Sequence, residues 1–195
     1  MEGTATIPPC TPLEAGDGFV AAKWGLISVV GVYAPPSWDL AEFERTLYDL
    51  EACVRRCLPG RVMVAGDFNA KSLLWGSLRT DQRGRALEEW AAGLGLELIN
   101  TGRASTCVRR QGTSIIDLTW ANSPAAHEIS GWRVVADQET LSNHMYIEMV
   151  VRATPPELLA RRQTTERKRR RWAFKKIEKD YLKAGSLRTD MGRWR

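Results

Sequence analysis

The stretch RVMVAGDFN, residues 61–69, decides the fold. Residues 61–65 read as a short buried strand, and Gly66-Asp67-Phe68-Asn69 leaves it. A carboxylate and a carboxamide therefore stand two residues apart at a strand end, where both can face one crevice. The carboxylate can hold or deprotonate a water, and the carboxamide can hydrogen-bond a phosphate oxygen. The same two residues equally suit an Asx turn with no chemistry attached.

Upstream, the periodicity predicts a helix over 40–57. Leu40, Phe43, Leu47, Leu50, Val54 and Cys57 form one apolar stripe. Asp39 is placed to cap it, with Glu42 three residues on as a capping box, and Pro59-Gly60 ends it. Residues 26–34 are almost wholly apolar and stop at Pro35-Pro36; they pair with 19–23 as a hairpin about Trp24-Gly25. Residues 1–17 are rich in Pro, Gly and Thr without periodicity, the pattern of a disordered lead-in.

Downstream, the chain to residue 80 reads as loop. Residues 84–94 form a second helix with Leu87, Trp90, Ala91 and Leu94 on one face, closed by Gly95. Strands are expected at 96–100, 106–109, 114–120, 132–136 and 145–151. Helices interleaved with strands, and hairpins toward the end, predict a layered α/β sandwich rather than an all-helical or all-β fold. There is no internal repeat.

With 195 residues, 44% of them hydrophobic, the chain has enough apolar matter for one domain and an appendage, which excludes wholesale disorder. No apolar run reaches the roughly 18 residues of a membrane span. No secretory signal stands at the start. The net charge of +5 hides an asymmetry: residues 151–195 hold 15 Lys/Arg against 5 Asp/Glu, so an acidic body carries a basic tail. The Pro155-Pro156 pair marks the boundary, and Phe174, Ile177 and Tyr181 keep helical spacing beyond it. Such a tail suits a polyanion partner or a solvated helix equally. Cys10, Cys53, Cys57 and Cys107 form no C-x-x-C, and only two histidines exist, which argues against a zinc cage and for packing cysteines in a reducing compartment.

Asp117 falls inside the strand S-I-I-D-L-T-W (114–120), whose alternation sets Ile115, Asp117 and Thr119 on one face. A carboxylate in a core strand is costly unless paired. His144, in L-S-N-H (141–144), opens another strand and is the imidazole placed to pair with it; the pair would fix the ring tautomer. His127 lies in a polar loop and reads as a surface residue.

Together, V-Y-A-P-P (32–36), G-D-F-N (66–69), S-I-I-D-L-T-W and L-S-N-H stand in the order seen in the endonuclease/exonuclease/phosphatase superfamily, which they resemble. Trp75-Gly76-Ser77, Asp81-Gln82-Arg83-Gly84, Ser105-Thr106-Cys107 and Gly131-Trp132-Arg133-Val134 are similar to one branch of it, the apurinic-type endonuclease of non-LTR retrotransposons. The resemblance covers about residues 18–151 and implies the DNase-I-like fold, two packed mixed β-sheets flanked by helices. It makes 155–195, with Arg169-Arg170-Arg171-Trp172, a basic helical linker toward a reverse transcriptase that these residues do not contain.

The resemblance also implies chemistry. A divalent cation, Mg2+ or Mn2+, sits beside a scissile phosphate and a water attacks in line. Asp67 would orient or deprotonate that water, and Asn69 would bind a phosphate oxygen and place Asp67. Tyr33 would donate to the phosphate, and His144, its ring held by Asp117, would stabilise charge on the phosphoryl oxygens. On spacing alone, Tyr33 is equally a packing residue at a strand end. Two departures stand out. The family's early strands with an Asn and a metal-binding Glu find no match before Tyr33, so the fold is expected to be incomplete at its amino terminus. Asn143 occupies a position where the family has an Asp that contributes to the metal site, and an amide is a weaker ligand for a hard cation.

The resulting expectation is an intracellular, if functional nuclear, DNA-nicking endonuclease whose metal binding and activity are weakened. The first alternative is a non-catalytic remnant that binds DNA, or RNA through the tail. The second is a phosphomonoesterase of the same superfamily.

Overall fold

A computed structural model describes residues 8–152. In chain order these form β1 (Cys10–Gly16), β2 (Phe19–Trp24), β3 (Ile27–Tyr33), α1 (Leu40–Cys57), β4 (Arg61–Asp67), α2 (Gln82–Gly93) and β5 (Leu96–Leu98). Then follow β6 (Cys107–Arg109), β7 (Gly112–Ser114), β8 (Asp117–Asn122), α3 (Ser123–Ala126), β9 (Ile129–Val135) and β10 (Tyr146–Val151). The layered α/β architecture expected from the element pattern is present. No described helix is long and apolar enough to cross a membrane.

The main sheet is six-stranded and mixed, in the order β1-β2-β3-β4-β8-β5. Only β3 and β4 run parallel, and α1 is the crossover between them. Asp39 caps α1 as expected: its carboxylate accepts from Glu42 N at 2.8 Å, and Glu42 returns a bond to Asp39 N at 2.8 Å. The face of α1 bearing Phe43, Leu47, Leu50 and Val54 joins Val30, Val32, Val62, Val64, Leu118 and Trp120 in the larger core, and Leu87, Trp90 and Ala91 of α2 complete it.

Alternation sends the other side chains to the opposite face of the sheet. There a smaller core gathers Ile27 and Met63 with Val29, Ile129, Met149 and Val151. The last three belong to the antiparallel β9–β10 pair, which is thus the second layer among the described residues. Trp132 ties the layers, its indole N–H donating to Thr119 Oγ1 at 3.1 Å. Asp67 and Asp117 lie on this second face.

Three expectations need correction. Residues 10–16 are not a lead-in: they form the edge strand β1, paired with β2 through a bulge between Pro12 and Glu14. Six of its seven residues are exposed, so no apolar alternation announced it; its backbone pairing and the ion pair of Glu14 with Arg56 of α1, at 2.5 Å, hold it. The single strand expected over 114–120 is two, β7 and β8, broken at Ile115-Ile116. The break resets the alternation, so Ile115 joins the larger core while Asp117 and Thr119 face the other way. The second helix starts earlier than 84, capped by Asp81, whose carboxylate accepts from Gly84 N at 2.7 Å. The basic tail and residues 1–7 lie outside the described residues.

Candidate active site

The parallel register of β3 on β4 sets Tyr33 opposite Asp67, and the antiparallel register of β4 on β8 sets Asp67 opposite Asp117. Two carboxylates on neighbouring strands would repel across a ladder unless a cation or donors intervene. Donors are supplied locally to both carboxylates. Asn69 donates to Asp67 twice, from its backbone N–H at 3.0 Å and from Nδ2 at 2.9 Å. The same Nδ2 also reaches the carbonyl of Ala34 at 3.1 Å. This geometry needs Asn69 at φ 45°, a left-handed conformation that asparagine tolerates better than most residues. The Asx turn that these residues suit is thus present, with the Asp67 carboxylate held by Asn69.

His144 comes from the segment that enters β10. It forms an isolated bridge with Cys107, and the Val108 N–H donates to the carbonyl of Asn143 at 2.7 Å. Its Nδ1 lies 3.0 Å from each oxygen of Asp117. Its Nε2 points the other way, 3.8 Å from Asp67 Oδ2. Asp67, Asp117 and His144 thus offer ligand atoms all within 4.8 Å of one another. Burial pushes the Asp67 carboxyl above the usual carboxylate range, and the nearby Asp117 adds to this; the bonds from Asn69 and the His144 ring oppose it.

The remaining sequence candidates divide. Tyr33 is 57% exposed, its ring open to solvent beside Asp67. Asn143 is exposed and outside the three-residue cluster, though adjacent in sequence to His144. His127 is exposed on the α3 turn, its Nδ1 on the carbonyl of Ser123 at 2.6 Å. The four cysteines are free, with Cys53 and Cys107 buried.

Residues not named as site candidates from the sequence hold the site in shape. The buried Thr106 hydroxyl accepts from Ile116 N at 3.1 Å and Asp117 N at 3.0 Å, and the Thr106 carbonyl accepts from Met145 N at 2.8 Å, next to His144. One residue therefore fixes both halves of the Asp–His pair. Asn100 continues β5 with its side chain, donating to the carbonyl of Asp117 at 3.0 Å and accepting from Thr119 N at 2.7 Å. Both lie in segments with no carboxylate or imidazole to mark them.

The donor set has oxygens of the kind a hard divalent cation takes: Mg2+ binds through one or two carboxylates and fills its shell with water and substrate phosphate. Each Asp117 oxygen lies 3.0 Å from the imidazole and each Asp67 oxygen accepts a bond from Asn69, so a cation would be held by the remaining lone pairs of these carboxylates.

The chain matches the model of the family described as endonuclease-reverse transcriptase over residues 27–148. It is 30% identical over 99 residues to the RNA-directed DNA polymerase from mobile element jockey of Drosophila melanogaster, a match covering 48% of this chain and 10% of the relative. It is 31% identical over 101 residues to the probable RNA-directed DNA polymerase from transposon X-element of the same organism, again 48% and 10%. The chain thus spans about a tenth of the length of these curated relatives. Among solved structures, it resembles the endonuclease domain of TRAS1, a telomere-specific non-LTR retrotransposon, with TM-score 0.65 and 27% identity, over 73% of this chain and 69% of that one. An AP endonuclease from Archaeoglobus fulgidus shares the fold at TM-score 0.58 and 16% identity, over 74% and 72%. The chain belongs to the endonuclease-reverse transcriptase family, and its described fold is a DNase-I-like endonuclease domain of the non-LTR retrotransposon kind.

Proposed function

We propose that the Asp67–Asp117–His144 cluster hydrolyses phosphodiester bonds, with DNA as substrate. The observation that carries this is the opposed use of the two ring nitrogens of His144: Nδ1 is held by Asp117 while Nε2 lies 3.8 Å from Asp67 Oδ2. Asp67, held by Asn69, orients and deprotonates a water; burial raises its pKa, which strengthens it as a base. His144 stabilises charge on the phosphoryl oxygens and Tyr33 donates to the same group, while Asn69, whose Nδ2 hydrogens are taken by Asp67 and Ala34, acts by holding Asp67. Asp67 would hold a divalent cation, with the Asn143 carboxamide as a neutral second ligand. A bound Mg2+ would supply Lewis-acid stabilisation of the phosphoryl oxygens. With a neutral amide at 143, metal affinity and turnover are expected to be low.

A polyanionic substrate agrees with the exposed Lys71 and Arg79 in the loop after Asn69, and with the exposed Arg109 and Arg110 in the β6–β7 hairpin that bridges to His144. The neutral Asn143 also favours a second reading, a domain that binds nucleic acid without cutting it. Nicking of supercoiled plasmid in Mg2+ or Mn2+ separates the two. Slow relaxation lost in Asp67→Ala is the expected result, whereas salt-sensitive binding with no nicks selects the second reading. Hydrolysis of small phosphate monoesters with DNA left intact would select a phosphomonoesterase.

A further inference from the structure

Two stretches distant in sequence, 35–43 and the turn at Asn69, meet at the guanidinium of Arg83, in the first turn of α2. Its Nη2 donates to the carbonyls of Pro35 at 2.9 Å and Trp38 at 2.6 Å. Its Nη1 reaches the carbonyl of Asn69 at 3.5 Å. The Phe43 ring of α1 lies 5.0 Å from its Cζ. Among the described residues Arg83 makes no ion pair, so its charge is matched by backbone carbonyls and an aromatic face.

Both stretches build the site. Pro35 follows Ala34, whose carbonyl accepts from Asn69 Nδ2 and whose N–H donates to the carbonyl of Asp67 at 2.8 Å. Asn69 holds the left-handed backbone that lets its carboxamide reach Asp67. Such a conformation persists only where the surroundings over-determine it. The first turn of α2 is itself fixed to the adjoining residues. Asp81 donates from its N–H to the carbonyl of Lys71 at 3.0 Å and accepts from Lys71 N at 3.2 Å. A Cβ on Gly84 would stand 2.0 Å from the Lys71 carbonyl oxygen, so the approach of helix to turn leaves no room to slide.

We infer that Arg83 is a positioning residue for this site: it locks the 33–38 loop and the Asn69 turn in one register, which keeps the Asn69 carboxamide on Asp67. Arg83 touches neither substrate nor reacting atoms in this role. The inference rests on the proposed hydrolysis for its kinetic consequence and on the hydrogen bonds alone for its geometric one. A lysine keeps the charge but cannot present a planar fork to separate carbonyls.

The test uses the full chain with Arg83→Lys, and Arg85→Lys on an exposed neighbour as control. Plasmid nicking in Mn2+ gives the kinetics, and NMR hydrogen exchange follows the amides of 33–38 and 67–71 with the Asn69 carboxamide. In Arg83→Lys, kcat is expected to fall about tenfold or more with KM within about threefold, as for a misplaced catalytic group. Exchange should accelerate in those two segments and not elsewhere. Added guanidinium, and not ammonium, should recover part of the rate of Arg83→Ala. Unchanged exchange at Asn69, a uniform increase across the fold, or a loss confined to KM would each overturn the assignment. If the wild type shows no turnover, the hydrolysis reading fails by itself, and the exchange pattern still decides the role of Arg83.

Discussion

The Nδ1 atom of His144 stands 3.0 Å from both oxygens of Asp117, across two segments 27 residues apart. A carboxylate placed this way fixes which nitrogen carries the proton and where the free one points. Asp117→Asn keeps the shape and removes the charge. Nicking should fall by about 10²–10⁴-fold, with little change in Tm. Wild-type rates in this variant would remove Asp117 from the mechanism.

Asp67 offers a test of sign in the metal-free protein. Burial raises its pKa, so the ionised carboxylate costs the fold some stability above the ordinary carboxylate range. That cost disappears as pH falls through the raised value, because the folded state takes up the proton first. Asp67→Asn should therefore compare more favourably with wild type at pH near 7 than near 4, in melts carried out with EDTA. A difference that grows toward acid would mean the carboxylate is stabilised as an anion.

Gly66 is required by close approach. A Cβ there would stand 1.9 Å from the carbonyl oxygen of Val32, at a φ of +156°. Gly66→Ala must push β3 from β4 just where Tyr33 and Asp67 sit side by side. A loss of about 3 kcal/mol or more is expected, a fall in Tm of roughly 10 °C at this chain length. A melt within a degree or two of wild type would show that the strands can separate freely.

Cys53 should report on the α1 interface. Burial pushes its thiol up to about 11, and Glu14 and Cys57 add to the rise. Between the ordinary thiol range and that value the folded chain keeps a proton that the unfolded chain releases, so stability falls as pH rises through the window. The difference in denaturation midpoint between wild type and Cys53→Ala should shift against wild type over that interval. At pH 8, iodoacetamide should label the exposed Cys10 and spare Cys53 until the chain unfolds.

What the sequence revealed and what it concealed follow from where the information lies. The capped helix from Asp39, the hairpin about Trp24-Gly25 and the carboxylate–imidazole pair were legible because each is a local pattern or a costly buried charge that demands a partner. The strand β1 was not, because an exposed edge strand is held by backbone bonds that leave no mark on composition. The break between β7 and β8 was hidden too, since the Thr106 hydroxyl that takes up the freed N–H groups is ten residues away. Arg83 stood in a family-like motif, Asp81-Gln82-Arg83-Gly84, but its role was hidden until the loops it binds were in place.

Single-turnover nicking of supercoiled DNA in Mn2+ by wild type, Asp67→Ala, His144→Ala and the double variant tests most directly whether Asp67 and His144 act together. If the two residues act as one unit, each single change should drop the rate to a common floor and the double should go no lower. Independent, additive losses, or a double variant that still cuts at the wild-type rate, would contradict it.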